Sequence, residues 1–342
     1  MGSPLRIAVI VLIFTQFLSS PLHASNTVSD ITDRGYLLCG VRGNLAGFSA
    51  INDSGDWSGL DVETCQAIAA AVLKDKESVE FIRINATSRF PALERGEIDV
   101  LARNTTWTFS RDTGMSIDFT GVTFYDGQGF MAHKALGISS IVNVEAGTSV
   151  CVQKNTTTLS NLQDYVLENN LDIEIREFAS AEIAETALFS RRCDIYTSDR
   201  SALAAVRAAE APNPEDYIFF SDVISKEPLG PVIRDDDSRW REIVRWVIFA
   251  LVQAEELGIN SSNIETKKNS GSIAARFLLG GVSGIGSSLD LDDGWVYRVI
   301  SQVGNYGEIF DRNFGASTRL NLERGLNKLW TDGGLLYSPP MR

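Results

Sequence analysis

Histidine is nearly missing from this chain of 342 residues, which carries two, His23 and His133. Its four cysteines include no C-x-x-C pair, so neither thiolates nor imidazoles stand at the spacing that a zinc site needs, and no metal or cofactor is expected. The glycine-rich phosphate loop that ends in Lys-Ser/Thr is absent too, which excludes an ATP site of that kind. Basic residues are in short supply: 31 Lys and Arg stand against 44 Asp and Glu, a net charge of -13. A surface of that sign repels nucleic acid and anionic membrane. Beyond the first residues no hydrophobic run approaches the roughly 20 residues of a membrane span, which argues against a membrane-attached sensor.

The first residues carry a shorter run. Arg6 precedes apolar Ile7 to Phe14, extended by Phe17 and Leu18, and then comes Ser19-Ser20-Pro21-Leu22-His23-Ala24. This pattern predicts a secretory signal peptide over residues 1–24, cut after the small Ala24. No cysteine lies near the cut, so no lipid attachment is expected. Removing Arg6 and no acid takes the net charge from -13 to -14, and the product should be soluble in the periplasm. In an exported chain, an even set of cysteines predicts disulfides. Pairing Cys39 with Cys65 and Cys151 with Cys193 keeps each bridge within one lobe, although two other connectivities are possible. On the chain-entropy model each closed loop contributes about 3.5 to 4 kcal/mol before strain.

With 44% hydrophobic and 22% charged residues, the chain can build two lobes with separate cores. In the first, Tyr36 to Val41 reads as a strand and Asp61 as the cap of a helix with apolar Val62, Cys65, Ile68, Ala69, Val72 and Leu73. Val79 to Ile84 is the next strand, Ser88 can cap a short helix ended by Gly96, and Ile98 to Ala102 is the third strand. The order recurs as strand Ser149–Gln153, helix Thr157–Glu168, strand Ile173–Phe178, helix Ala181–Ser190 and strand Cys193–Thr197. Strands alternating with helices predict an α/β fold with doubly wound parallel sheets.

Two extended connectors, Phe124 to Met131 and Ser225 to Pro231, cross between the lobes and make a hinge. This places residues 30–126 with 231–280 in lobe one and 127–226 in lobe two. Beyond them, Trp240, Ile243, Val244, Val247, Ile248, Leu251 and Val252 form a packing stripe ended by Gly258. Residues 281–342 form a helical extension packed on the lobes, whose Trp295, Tyr306, Phe310, Leu326 and Trp330 read as core.

Chemistry concentrates in Arg103-Asn104-Thr105-Thr106-Trp107-Thr108-Phe109-Ser110-Arg111-Asp112. The loop follows a strand and sets an arginine fork beside neutral Asn104 and Thr106, which suits a carboxylate or reads as a polar turn. Ile98-Asp99-Val100-Leu101 is echoed by Cys193-Asp194-Ile195-Tyr196, and Asn104 and Asp199 each follow their aspartate by five residues. Both then lie beyond the carboxyl end of an equivalent strand, the edge where open parallel sheets bind ligands. Asp199 could equally cap the helix starting near Ser201.

Gly59-Leu60-Asp61-Val62 before Cys65-Gln66-Ala67-Ile68-Ala69, the run Arg103 to Asp112, Phe119-Thr120-Gly121-Val122 leading to Tyr125-Asp126-Gly127-Gln128-Gly129-Phe130, Ser225 to Pro231 and Gln302-Val303-Gly304-Asn305-Tyr306-Gly307-Glu308 carry a resemblance. Over residues 30–342 the chain resembles the periplasmic polar amino-acid-binding proteins of ABC importers, solute-binding protein family 3, in their general L-amino-acid-binding branch. The resemblance implies a two-lobed periplasmic binding protein of type 2. It would act as a monomer that closes on a free L-amino acid and delivers it to inner-membrane ABC permease subunits. It also implies roles: Arg111 on the ligand α-carboxylate, Asn104 and Thr106 on carboxylate or ammonium, Thr156 and Thr157 at a helix opening toward the carboxylate, Asp199 on the α-ammonium, and Phe48 stacked on the ligand side chain.

The chain departs from the branch at Arg42, a charge near the pocket that could favour acidic side chains or point outward. It departs again at Asn155, where the branch has glycine and where asparagine tolerates left-handed backbone angles. Arg89 could line the side-chain end or be solvated. A periplasmic dehydratase on the same scaffold is the enzyme alternative, but it needs a general acid or base, and Asp199 would have to serve. A chemotaxis role is the other alternative.

Overall fold

The computed structural model describes residues 26–341; the expected signal peptide lies outside them. Three segments with almost no charge, Leu37–Val41, Thr148–Gln153 and Gln128–His133, form strands buried along most of their length, as strands covered on both faces must be. The charged strands Val79–Arg83 and Ile173–Phe178 leave every residue at least partly accessible and take the sheet edges.

Two five-stranded sheets result, with the same plan. The first runs Val79–Arg83, Leu37–Val41, Val100–Leu101, Val232–Arg234, Ile117–Phe119; the second runs Ile173–Phe178, Thr148–Gln153, Ile195–Asp199, Gln128–His133, Tyr217–Phe219. Within each, the first three strands are parallel. The fifth runs the same way, and the fourth departs from the all-parallel expectation. The fourth strand is antiparallel to both of its neighbours, because it is the piece of chain that has just crossed from the other lobe. The crossings, Phe124–Asp126 and Glu227–Leu229, form a two-stranded antiparallel ladder of their own, with Tyr125 opposite Pro228. Pro228 has no N–H to give to a ladder; its carbonyl accepts the amide of Trp107 at 2.8 Å.

Helix Leu60–Val72 lies between the first sheet and the C-terminal helices Trp295–Gln302 and Tyr306–Asn313, and eleven of its thirteen residues are buried. Asp61 does not cap it. Gly59 holds that position at φ 124°, where an added Cβ would fall 2.1 Å from the Phe48 carbonyl oxygen, a place only glycine can fill. Ser88 does not cap its helix either: its hydroxyl and amide both donate to Asn85 Oδ1, at 3.0 and 2.9 Å. The bridges are Cys39–Cys65 and Cys151–Cys193, each tying a central strand to an element packed beside it.

The stripe on helix Ser238–Glu256 is buried as the pattern predicts, and Trp240 donates to the Asp99 carbonyl at 3.0 Å. Trp295, Tyr306 and Phe310 join the same core as the first sheet. Leu326 and Trp330 do not, being 53% and 54% exposed. They flank the buried Asn327, whose side chain accepts from the Tyr125 amide at 2.7 Å and donates to the Tyr125 carbonyl at 3.0 Å. The polar residue between them is thus the one that docks, and it docks on the hinge.

Candidate functional site

The carboxyl ends of Val100–Leu101 and Ile195–Asp199 face one another across the junction of the lobes. After Leu101 the chain turns through Asn104 at φ 33°, a left-handed angle that asparagine tolerates better than most residues. The turn is held by the Asn104 amide, which donates to Asp61 Oδ2 at 3.0 Å. Burial pushes the Asp61 carboxyl up to about 7, against the Asn104 hydrogen bond and the nearby Arg103 charge.

From the opposite lobe comes the opening of helix Thr157–Glu168. Asn155 precedes it at φ 61°, in the left-handed region, and Thr156 caps it by accepting the Leu159 amide at 3.3 Å. Asp199 ends its strand, buried, and makes no capping bond to helix Arg200–Glu210. Its Oδ2 accepts from Asn104 Nδ2 across the lobes at 3.4 Å. Burial, then the charges of Asp126 and Glu227, raise the Asp199 carboxyl well above its ordinary value.

Between these elements lies a small, partly open cavity of about 40 Å³, room for about three water molecules. The first lobe lines it with Arg42, Arg89, Arg103, Asn104 and Thr106, and the second with Gln153, Thr156 to Thr158, Ala181 and Tyr196 to Asp199. A larger open groove of about 1250 Å³ beside Trp57, Lys76 and Arg319 contains none of the buried side-chain atoms that lack a partner. Two such atoms, Arg89 Nε and Asn104 Oδ1, belong to the small cavity.

A cleft between two lobes of this plan is what a solute-binding protein presents, and the model of the family "Bacterial extracellular solute-binding proteins, family 3" matches residues 37–260. The chain belongs to that family. It is 45% identical over 321 residues to the general L-amino acid-binding periplasmic protein AapJ of Rhizobium johnstonii, covering 93% of this chain and 94% of that one. It is also 45% identical to the glutamate/glutamine/aspartate/asparagine-binding protein BztA of Rhodobacter capsulatus, at 93% and 94% coverage. Among solved structures it is similar to an ABC transporter periplasmic binding protein from Brucella ovis with glutathione bound, at 46% identity and TM-score 0.90, covering 93% of this chain and all of that one.

In this solute-binding protein the expected residues divide. Asn104, Thr106, Thr156, Thr157, Asp199, Arg42 and Arg89 line the cavity. Arg111 stands just behind it: its Nη1 donates to the Thr106 carbonyl at 2.7 Å, and its guanidinium lies 5.4 Å from the Phe90 ring. Phe48 is not in the cleft. It is 1% exposed and packs edge-on against Phe124 and Phe314, at 5.1 and 5.0 Å, because the turn through Gly47 aims it inward. The aromatic ring that lines the cavity is that of Tyr196, and Phe90 lies 4.8 Å from the Arg89 guanidinium.

Arg42 lines the cavity and does not point outward. It reaches across to the other lobe, Nη2 to Glu185 Oε1 at 3.2 Å, while its Nε donates to Asn44 Oδ1 at 3.0 Å. Asn44 in turn donates to Glu182 at 2.7 Å. Arg89, by contrast, makes no hydrogen bond among the described residues. Burial and the neighbouring Arg103 and Arg111 push its guanidinium well below the ordinary value.

Several lining or adjoining residues escaped the sequence reading, Arg103 and Glu227 among them. Arg103 is buried, bonded to the Ile84 carbonyl at 2.8 Å and lowered to about 9, chiefly by desolvation. Its signal was its place as the first residue of the anion loop. Glu227 is 2% exposed in the second crossing strand, and its signal was an acid inside a hinge motif.

Proposed function

We propose that this protein captures a free L-amino acid with an acidic side chain between its lobes and delivers it, as a monomer in the periplasm, to the permease of an ABC importer. The observation that carries this reading is Arg89, a buried guanidinium whose Nε has no hydrogen-bond partner among the described residues, beside Arg103 in a cavity whose far wall is Asp199. Such a polarised site suits an ammonium at one end and an anion at the other. Arg111, with one donor used and the rest of its fork available, takes the α-carboxylate, supported by the opening of helix Thr157–Glu168. Arg89 and Arg103 take the side-chain carboxylate. Residues 30–126 with 231–280 and residues 127–226 serve as the two closing bodies, and residues 281–342 stay with the first.

The relatives' names include binding of L-amino acids in general and of glutamate, glutamine, aspartate and asparagine, and the Brucella ovis protein holds glutathione. The test is isothermal titration of the refolded, ligand-free protein against all common amino acids and glutathione. Glutamate or aspartate should bind tightest, and Arg89→Ala should cost about 10²-fold against them while changing neutral amino acids little. Failure to bind any amino acid, or a preference for lysine, overturns the proposal.

A further inference from the structure

We propose that Glu227, in the second hinge strand, is a positioning residue that fixes the Thr106 and Thr157 hydroxyls as acceptors, so that the closed cleft selects a ligand bearing an ammonium group. The inference rests on the reading of the cleft as an amino-acid site. Glu227 is buried and receives four side-chain donors. Oε1 accepts from Ser225 Oγ at 2.6 Å and from Asn161 Nδ2 at 2.8 Å; Oε2 accepts from Thr106 Oγ1 at 2.5 Å and from Thr157 Oγ1 at 3.4 Å. A threonine hydroxyl has one proton and two lone pairs. Once Thr106 gives that proton to Glu227, only its acceptor side is left for the cavity that it lines. Thr157, 3.3 Å from Thr106, can give its proton to Glu227 or to Thr106, and Thr106 is an acceptor in both cases.

The neighbours agree in polarity. Asn104 gives one N–H of its side-chain amide to Asp199, and its buried Oδ1 has no partner among the described residues. Asn104 Oδ1, Thr106 Oγ1 and the Asp199 carboxylate thus form a set of acceptors, which only a donor group can satisfy. A carboxylate placed there would face three unanswered lone pairs.

The arrangement is also tied to closure. Thr106 is preset against the hinge, because the Trp107 amide donates to Pro228 O at 2.8 Å and the Gly230 amide to Thr105 O at 3.1 Å. Thr157 and Asn161 arrive with the helix of the other lobe. Closing the lobes therefore completes the donor shell of Glu227, and the acceptor set is complete only then.

The test compares L-glutamate with glutarate, which lacks the ammonium, by calorimetric titration of the wild type, Glu227→Gln, Thr106→Val and the double variant. In the wild type glutamate should bind at least 100-fold tighter than glutarate. Glutamine presents an N–H toward Thr106 and reverses its hydroxyl, so Glu227→Gln should weaken glutamate about 30-fold or more, leave glutarate within about threefold, and collapse the ratio. Thr106→Val should lose glutamate to a similar extent, and adding Glu227→Gln to it should bring little further loss. Equal weakening of both ligands, no change, or additive losses in the double variant overturns the proposal. Should Glu227→Gln fail to fold, the Thr106→Val ratio decides: a ratio like the wild type's overturns it. Wild-type protein that ignores glutamate overturns the amino-acid reading itself, and that arm is separate from the ratio.

Discussion

Asp61 shows how a single buried acid imposes a pH dependence on the whole fold. Its carboxyl is raised from 3.8 to about 7 by burial, so the folded state holds a proton that the unfolded chain gives up. The stability associated with that proton is fully present below pH about 4 and is lost as pH rises to about 7, a change of roughly 4 kcal/mol at 1.4 kcal/mol per unit. Asparagine at this position would still accept the Asn104 amide without the charge. We expect urea unfolding of Asp61→Asn between pH 4 and 8 to show a flatter stability profile than the wild type, with the largest gain at pH 7 and above. An unchanged difference across that range would mean the carboxyl does not titrate with folding.

At the scale of elements, the hinge is a ladder of two three-residue strands whose outer edge is satisfied by the Asn327 side chain rather than by a third strand. Truncation to Asn327→Ala leaves a half-buried amide and carbonyl at Tyr125 without those partners. This should cost about 2 kcal/mol in urea-derived stability and change ligand affinity, although residue 327 lies outside the cleft. Local patterns made most elements legible: helix Thr157–Glu168 and strand Ile173–Phe178 fall where the periodicity puts them, and the bridges pair within lobes.

What was not legible depended on partners distant in sequence. Nothing within residues 40–48 says that Phe48 meets Phe314 or that Arg42 meets Glu185, 143 positions away. Strand direction was hidden for the same reason, since Val232–Arg234 is antiparallel only because of the lobe it came from. Glu227 is the sharpest omission. An acid between Lys226 and Pro228 reads only as part of an extended connector until the four donors converging on it are known.

For the molecule as a whole, Arg42 and Asn44 of one lobe hold Glu185 and Glu182 of the other. The Arg42 and Glu185 side chains are each only 8% accessible, and separating such a pair exposes each partner to water while breaking its hydrogen bonds. The intact pair sets its attraction against the cost of taking both charges out of water, and removing one partner leaves that cost unopposed. Arg42→Ala leaves Glu185 buried and unpaired, which is costly in a closed lobe and harmless in an open one. We expect its ligand-free form to show a larger radius of gyration in solution scattering and its ligand dissociation rate to rise about tenfold, with the association rate changed less. A ligand-free radius equal to the wild type's would show that the pair does not bias closure.

The exchange of strands between the lobes also sets an order of assembly. The second sheet draws all of its strands from residues 128–219, whereas the first sheet waits for Val232–Arg234, and its core waits for helices as late as Tyr306–Asn313. A chain emerging from its amino end makes the first lobe's leading strands earliest and completes that lobe last. Until the carboxyl-terminal third arrives, Leu37–Val41 and Leu60–Val72 keep apolar surface without its final cover, the condition that invites chaperone binding in transit. In refolding of the whole chain the longer loop that joins Leu101 to Val232 is the slower one to close, so pulse-labelled hydrogen exchange should find amides of Thr148–Gln153 protected before those of Val100–Leu101, an inversion of their order in the chain.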